Sequence, residues 1–124
     1  MWRNRVGWMS RGWRDMMSMR QGNIFAKMPR VKGREVVQAL AGSKKLRLER
    51  IVSTGQVTPE GVWLKDRRDE WVVVLKGKAV LRLWGSDRLM RMGAGDYVLI
   101  PRNTRHRVEW TRPGRATVWV AVYF

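Results

Sequence analysis

Short apolar runs, separated by turns that contain glycine, follow one another along the chain from residue 45 to residue 124. Each run has the length and the content of β-branched and aromatic residues typical of a strand, and a spacing of about 8 to 12 residues is that of a sandwich or barrel. The predicted strands are 45–52, 62–65, 70–76, 78–84, 88–92, 97–100, 106–111 and 116–124. The pattern therefore predicts an all-β fold.

The strand that begins at His106 alternates between apolar and polar positions. His106, Val108 and Trp110 share one face, whereas Arg107 and Glu109 share the other. This period of two is typical of a sheet with one buried side and one side in water. We therefore expect the histidine to point inward with the apolar residues.

One short helix is predicted before the strands, from Gly33 to Gly42. Val36, Val37 and Leu40 form an apolar stripe at helical spacing, and Gly42 would serve as the C-terminal cap. The predicted fold is thus a β-barrel preceded by one helix.

Residues 1–22 differ in composition from the rest, because they contain three of the eight Trp and five of the eight Met. An amphipathic helix on a membrane surface and a transit peptide are two alternatives for this arginine-rich segment. Gly7 and Gly12 disfavour the helix, since each costs about 1 kcal/mol relative to alanine. We expect 1–22 to be a disordered or loosely docked leader whose first 18 residues are dispensable, and 23–124 to form one domain.

Bulk composition limits the chemistry. Lys and Arg number 26 against 10 Asp and Glu, a net charge of +16 that attracts polyanions whatever the fold. No recognition helix or row of stacking aromatics on a basic strand is evident, so specific nucleic-acid binding is not expected.

The absence of cysteine excludes disulfides and thiolate chemistry. No apolar run approaches the ~20 residues of a membrane span, and we expect a cytoplasmic protein.

The stretch from Gly95 to Trp110 resembles the second motif of the small single-domain cupins. That motif runs Gly, five residues, Pro, one residue, Gly, two residues, His, three residues, Asn. Gly95, Pro101 and His106 have these spacings, with Asn103 in the inner glycine slot and Trp110 in the asparagine slot. Asn suits the glycine slot because it tolerates a left-handed backbone.

The first cupin motif ends with Glu, six residues, Gly, and Glu70 and Gly77 have that spacing. The resemblance covers about residues 45–124. It implies a double-stranded β-helix, also called a jelly-roll barrel, in which the inward side chains of both motifs line one pocket. Cupins commonly pair through their sheets, and the last predicted strand is apolar on both faces, so we expect a homodimer.

The resemblance implies a pocket whose lining we expect to include six residues: His106, Glu70, Trp63, Trp110, Val72 and Val108. Metal-dependent cupins also carry two histidines in the first motif, and the corresponding slots fall on Leu64 and Asp66 or on Trp63 and Lys65. Asp66, Glu70 and His106 would still offer two carboxylates and one imidazole to Mn²⁺, Fe²⁺ or Zn²⁺. The alternative is that Asp66 is a solvated charge and Glu70 pairs with an arginine.

Three functions remain open. The missing histidines favour a non-catalytic cupin that binds a small molecule. The first alternative is a metal-dependent enzyme of the oxygenase, isomerase or decarboxylase type that uses Glu70 and His106. The second is a basic protein that binds polyanions without sequence preference. In each pocket-based version Glu70 and His106 face each other, because a carboxylate among apolar neighbours needs a metal, an imidazolium or a hydrogen-bonding ligand.

Overall fold

Eight antiparallel strands form the fold of residues 19–29 and 33–124, which the computed structural model describes. They are β1 (Val36–Gly42), β2 (Arg47–Ser53), β3 (Glu70–Lys76), β4 (Lys78–Leu83), β5 (Leu89–Gly93), β6 (Tyr97–Ile100), β7 (His106–Thr111) and β8 (Thr117–Tyr123). The all-β prediction is confirmed. The strand predicted at 62–65 is reduced to a single bridge between Leu64 and His106, and residues 1–18 of the predicted leader lie outside the described residues.

The strands form two sheets that pack over one core. The larger sheet has the order β1-β2-β8-β3-β6, and the smaller has the order β5-β4-β7. Side chains from both sheets meet in the core: Val72, Val74, Ala79, Leu81, Met92, Ile100, Trp119 and Ala121. In the described ranges, no helix has the length and apolar character that a membrane crossing requires.

The predicted helix at 33–42 is wrong, because the segment is strand β1. It pairs antiparallel with β2, and a β-bulge at Leu40 interrupts the register. Val36 and Leu40 are the half-buried residues of the strand. A spacing of four places two residues on one face of a helix and also on one face of a strand, so the stripe did not distinguish the two. The paired β-branched residues Val36 and Val37 favour the strand.

The chain that precedes β1 is held on the larger sheet by Arg50 of β2. Arg50 is only 5% exposed, and its guanidinium donates to the carbonyl oxygens of Ile24, Ala26 and Lys27 at 3.0, 2.7 and 3.3 Å. It also donates to the side chain of Gln38. A buried arginine thus ties the 23–27 segment to β2.

Two turns require particular residues at the ends of strands. Gly77, between β3 and β4, has a φ of 95°, and a Cβ there would lie 2.6 Å from the Cα of Thr117. Asn103 has a φ of 60°, and its N–H donates to the carbonyl of Asp66 at 2.7 Å. Asn103 therefore has the left-handed backbone expected for the inner glycine slot, and it fixes the turn that leads to His106.

Candidate functional site

A cavity of about 250 Å³ lies inside the barrel. Part of its lining is apolar and comes from both sheets: Val37, Ile51, Leu64, Val72, Leu81, Ile100, Val108 and Trp119. The rest is polar: Glu35, Glu49, Lys65, Asp66, Glu70, His106 and Tyr123. Such a mixture of apolar wall and a few polar groups is typical of small-molecule sites.

Strand register creates the polar end of the cavity. Arg47 of β2 is the cross-strand partner of Tyr123 of β8, and Tyr123 is the partner of Glu70 of β3. Cross-strand partners point to the same face of a sheet, so these three residues form one row. Glu49 and Val72 belong to the next row on that face. His106, the first residue of β7, meets this row from the smaller sheet.

Glu70 and His106 form the centre of the polar end. The Glu70 Oε1 atom lies 3.6 Å from His106 Nε2, and the two side chains are only 12% and 7% exposed. The other carboxylate oxygen, Oε2, accepts from the Tyr123 hydroxyl at 3.4 Å. On the far side of the imidazole, Nδ1 lies 3.0 Å from the carbonyl oxygen of Thr104.

The contact to Thr104 determines which imidazole nitrogen carries hydrogen. A carbonyl only accepts, so Nδ1 donates, and in the neutral imidazole Nε2 is then an acceptor. That acceptor faces the Glu70 carboxylate, which also accepts. Two acceptors in a buried site repel each other unless a proton or another donor lies between them. The pair therefore holds one proton, or it requires a donor from a ligand.

Burial controls the acid–base properties of this end of the cavity. It raises the pKa of Glu70, and the nearby charges of Asp66 and Glu49 act in the same direction, while His106 and the Tyr123 hydroxyl oppose them. Burial also raises the pKa of Tyr123, with a further contribution from the charge of Glu70. Tyr123 therefore stays a neutral donor to Glu70.

A second polar chain starts at Trp119 in the apolar wall. Its indole Nε1 donates to Ser53 Oγ at 3.1 Å, and the Ser53 hydroxyl donates to Glu35 Oε2 at 2.9 Å. Ser53 is fully buried, so its hydroxyl satisfies an indole N–H that would otherwise be unpaired. The chain connects the buried wall to Glu35, which is exposed at the rim.

Sequence reasoning missed several residues of the site: Glu35, Arg47, Glu49, Trp119 and Tyr123. A signal existed for three of them. Trp119, Ala121 and Tyr123 alternate along β8, and Glu49 shares a face with Ile51 on β2. A carboxylate on the inward face of a strand needs a partner or a ligand, so it indicates a polar site there. The partners of these residues depend on cross-strand register, which the sequence does not display.

The structure brings Glu70, His106, Val72 and Val108 together at the cavity, but it places Trp110 elsewhere. Trp110 is 39% exposed. Glu109 is an extra residue in β7, because Val80 pairs with Trp110 while Leu81 pairs with Val108. This bulge breaks the alternation of the strand. Trp110 consequently does not follow His106 and Val108 into the cavity.

Trp63 is also absent from the cavity lining. Its ring packs edge-to-face on Trp84 with centroids 5.0 Å apart. The guanidinium groups of Arg82 and Arg107 lie 5.2 and 5.8 Å from the Trp63 ring centroid. Its neighbour Leu64 bridges to His106 and lines the cavity instead. Trp63 thus belongs to a cluster of aromatic and arginine side chains.

The three expected metal ligands do not form a metal site in the described residues. Asp66 lines the same cavity, but its carboxylate accepts from the Arg68 N–H at 2.9 Å and faces Arg47 at 3.5 Å. Only Glu70 and His106 are adjacent, and no group of three or more potential ligands occurs in residues 19–29 and 33–124. Mn²⁺, Fe²⁺ and Zn²⁺ sites need more than two protein ligands for tight binding. These residues therefore do not fit a resident divalent metal.

An antiparallel two-sheet barrel with a cavity of mixed polarity at its centre defines the class of small β-barrel domains. The chain belongs to the cupin domain family, which matches residues 51–123. The cupin resemblance of the two motifs is thereby confirmed.

Solved structures show the same fold. A Ralstonia eutropha protein named a "putative mannose-6-phosphate isomerase" is 41% identical, with a TM-score of 0.81 over 85% of this chain and 97% of that one. A cupin superfamily protein from Desulfitobacterium hafniense is 15% identical, with a TM-score of 0.69 over 86% and 92%. An RmlC-like cupin with a double-stranded β-helix fold from Methanocaldococcus jannaschii is 17% identical, with a TM-score of 0.62 over 78% and 85%. No curated protein matches the chain.

Proposed function

We propose that this cupin binds a small molecule in the barrel cavity and that Glu70 and His106 make the principal polar contacts with it. The observation that carries the proposal is the pair of facing acceptors, Glu70 Oε1 and His106 Nε2, buried 3.6 Å apart beside an apolar wall. Polar groups buried in this way cost free energy unless a partner satisfies them. Besides a shared proton, a ligand with donor groups can supply that partner to both atoms.

Cavity size and access agree with a small ligand. A volume of about 250 Å³ lies just below the usual range of ligand pockets, which begins near 300 Å³. Val37 and Leu64 line the cavity and are 51% and 42% exposed, so both reach the solvent at its rim. A compact molecule can enter there and place its polar group between β3 and β7.

A sugar-phosphate isomerase is the second candidate. Its support is the name of the Ralstonia eutropha protein, which is 41% identical to this chain. A carboxylate beside an imidazole can also move a proton, as isomerisation requires. The metal-dependent version of the enzyme is less well supported, because Asp66 is turned toward Arg47 and Arg68. Incubation with mannose-6-phosphate and analysis of the products tests this candidate directly.

NMR of the histidine tests ligand binding, since the chain contains one histidine. Benzylamine, benzyl alcohol and benzoate are titrated into the full chain while the His106 ring signals are recorded. At least one probe is expected to shift them. Val108→Phe and Ile51→Phe each fill part of the cavity and are expected to abolish the shift, and two variants are used in case one does not fold. Ring signals that no probe changes would contradict the proposal.

A further inference from the structure

The charge of the cavity lining is opposite to that of the protein as a whole. The chain has 26 basic residues and 10 acidic ones. Four of those acidic residues, Glu35, Glu49, Asp66 and Glu70, line the cavity, and Lys65 is the only lysine or arginine among the lining residues of the described ranges. The described lining thus reverses the charge balance of the chain, which indicates a preference in ligand charge.

Neighbouring cations reduce this bias but do not reverse it. Arg47 lies outside the lining, 3.0 Å from Glu49 and 3.5 Å from Asp66, and its guanidinium stacks 4.0 Å from the ring centroid of Tyr123. Lys65 is exposed at the rim. These two positive charges stand against three carboxylates besides Glu70. An anionic ligand therefore meets excess negative charge and no arginine among the lining residues that the structure describes.

A second observation points to a ligand with several N–H donors. The His106 side chain is 7% exposed and lines the cavity, and its Nδ1 is engaged by Thr104, so in the neutral imidazole Nε2 is an acceptor that faces Glu70. Nε2 makes no hydrogen bond to the described residues, since Glu70 Oε1 at 3.6 Å is beyond hydrogen-bond length. An ammonium group has three donors and no acceptor. Such a group can bridge both acceptors.

We propose that the cavity selects a small organic cation: a primary ammonium group held between Glu70 and His106, attached to an apolar body that packs on the cavity wall. The inference rests on the proposed function and names its ligand class. Val72, Val108 and Trp119 provide the apolar surface, and the carboxylates of Glu49 and Asp66 add favourable charge. A sugar phosphate is disfavoured by the same carboxylates.

The test is isothermal titration calorimetry of the full chain with three probes of the same shape and different charge: benzylamine, benzyl alcohol and benzoate. Physiological salt is used, because a Debye length of about 8 Å then screens the distant surface charge. The net charge of +16 would favour benzoate, so a preference for the cation reports the local lining. Benzylamine is expected to bind at least tenfold more tightly than benzyl alcohol, and benzoate least tightly.

Variants assign the effect to the cavity. Glu70→Gln removes the charge and keeps an acceptor. We expect it to weaken the binding of benzylamine at least tenfold and to change the affinity for benzyl alcohol little. Glu49→Gln is expected to weaken benzylamine by a smaller factor. Glu60→Gln is the matched control, because Glu60 is exposed and absent from the lining, and it should leave all three affinities unchanged.

The outcomes separate the two proposals. Tight binding of benzoate or benzyl alcohol at His106, equal to or stronger than that of benzylamine, would overturn the cation inference and leave small-molecule binding intact. Binding of benzylamine that Glu70→Gln does not weaken would also overturn it. Failure of all three probes to bind in the cavity would overturn the proposed function itself.

Discussion

Replacing Arg107 by methionine should destabilise the protein strongly, although the alternation of β7 predicts that this side chain faces water. The side chain is 11% exposed. Its guanidinium donates to the carbonyl oxygens of Thr58, Pro59 and Val62 at 2.8, 3.2 and 3.4 Å. Arg107 therefore fastens the 58–62 segment over the smaller sheet, next to Leu64, which pairs with His106.

The size of the effect follows from these bonds. Hydrogen bonds to a charged group contribute about 1.5–3 kcal/mol each, and two of the three bonds to Arg107 are short enough to count fully. Methionine keeps much of the apolar stem, so we expect a loss of about 3–5 kcal/mol in the free energy of unfolding. For a domain of this size the melting temperature would fall on the order of 20 °C.

Urea unfolding followed by tryptophan fluorescence measures this loss, with a lower midpoint and an unchanged slope. Arg107→Lys keeps the charge but cannot reach three separate carbonyls, so an intermediate loss is expected. Arg105→Met is the matched control, because Arg105 is exposed and its contact is the Trp84 ring at 5.3 Å. A loss below about 1 kcal/mol for Arg107→Met would refute the claim that these bonds hold the segment.

Three further predictions concern the turn at Gly77, the buried carboxyl group of Glu70 and the outer face of the larger sheet. Gly77→Ala should lower the free energy of unfolding in urea by at least about 2 kcal/mol, and by more than Gly95→Ala does. Both glycines have a positive φ, but of the two only Gly77 lacks room for a Cβ. Equal losses would contradict this steric argument. Burial raises the pKa of Glu70 in the folded protein above its ordinary 4.5. As the pH rises, the unfolded chain therefore loses this proton first. The wild-type protein becomes less stable from pH 4.5 up to the pKa of Glu70 in the folded state. Glu70→Gln should remove this pH-dependent loss of stability. A variant whose stability depends on pH as that of the wild type does would contradict the raised pKa. Tyr97 and Leu99 of β6 are 65% and 53% exposed on the outer face of the larger sheet, where a homodimer would bury them. Sedimentation equilibrium should show a dimer whose dissociation constant Leu99→Lys raises at least tenfold. A wild-type protein that stays monomeric at every concentration would exclude this dimer.

Much of the barrel could be predicted because its signals are local. Strand β3 begins at Glu70 and β6 at Tyr97 where the apolar runs begin, and the resemblance to the second cupin motif implied the left-handed turn at Asn103. Each of these features depends on residues close together in the chain. The sequence therefore sufficed to locate strands β2 to β8 and to place His106 at the start of β7.

The remaining features depend on residues far apart in the chain. Whether Val36 and Leu40 belong to a helix or a strand is decided by pairing with β2. The burial of Arg107 depends on the segment that covers it, and the outward position of Trp110 depends on the bulge at Glu109. The alternation of apolar and polar residues within one strand shows neither which segment packs over a side chain nor where a bulge lies. Tyr123 joins the site for a similar reason, because its register with β3 places it beside Glu70.

The most direct test of the account is a long-range ¹H–¹⁵N NMR spectrum of the single histidine during a titration with benzylamine. The free protein should show hydrogen on Nδ1, as the bond to Thr104 requires. Added benzylamine should move the Nε2 signal in a saturable way, and it should not do so in the Val108→Phe variant. An Nε2 signal that stays fixed while benzylamine binds would show that the ligand sits elsewhere, and it would contradict a binding site formed by Glu70 and His106.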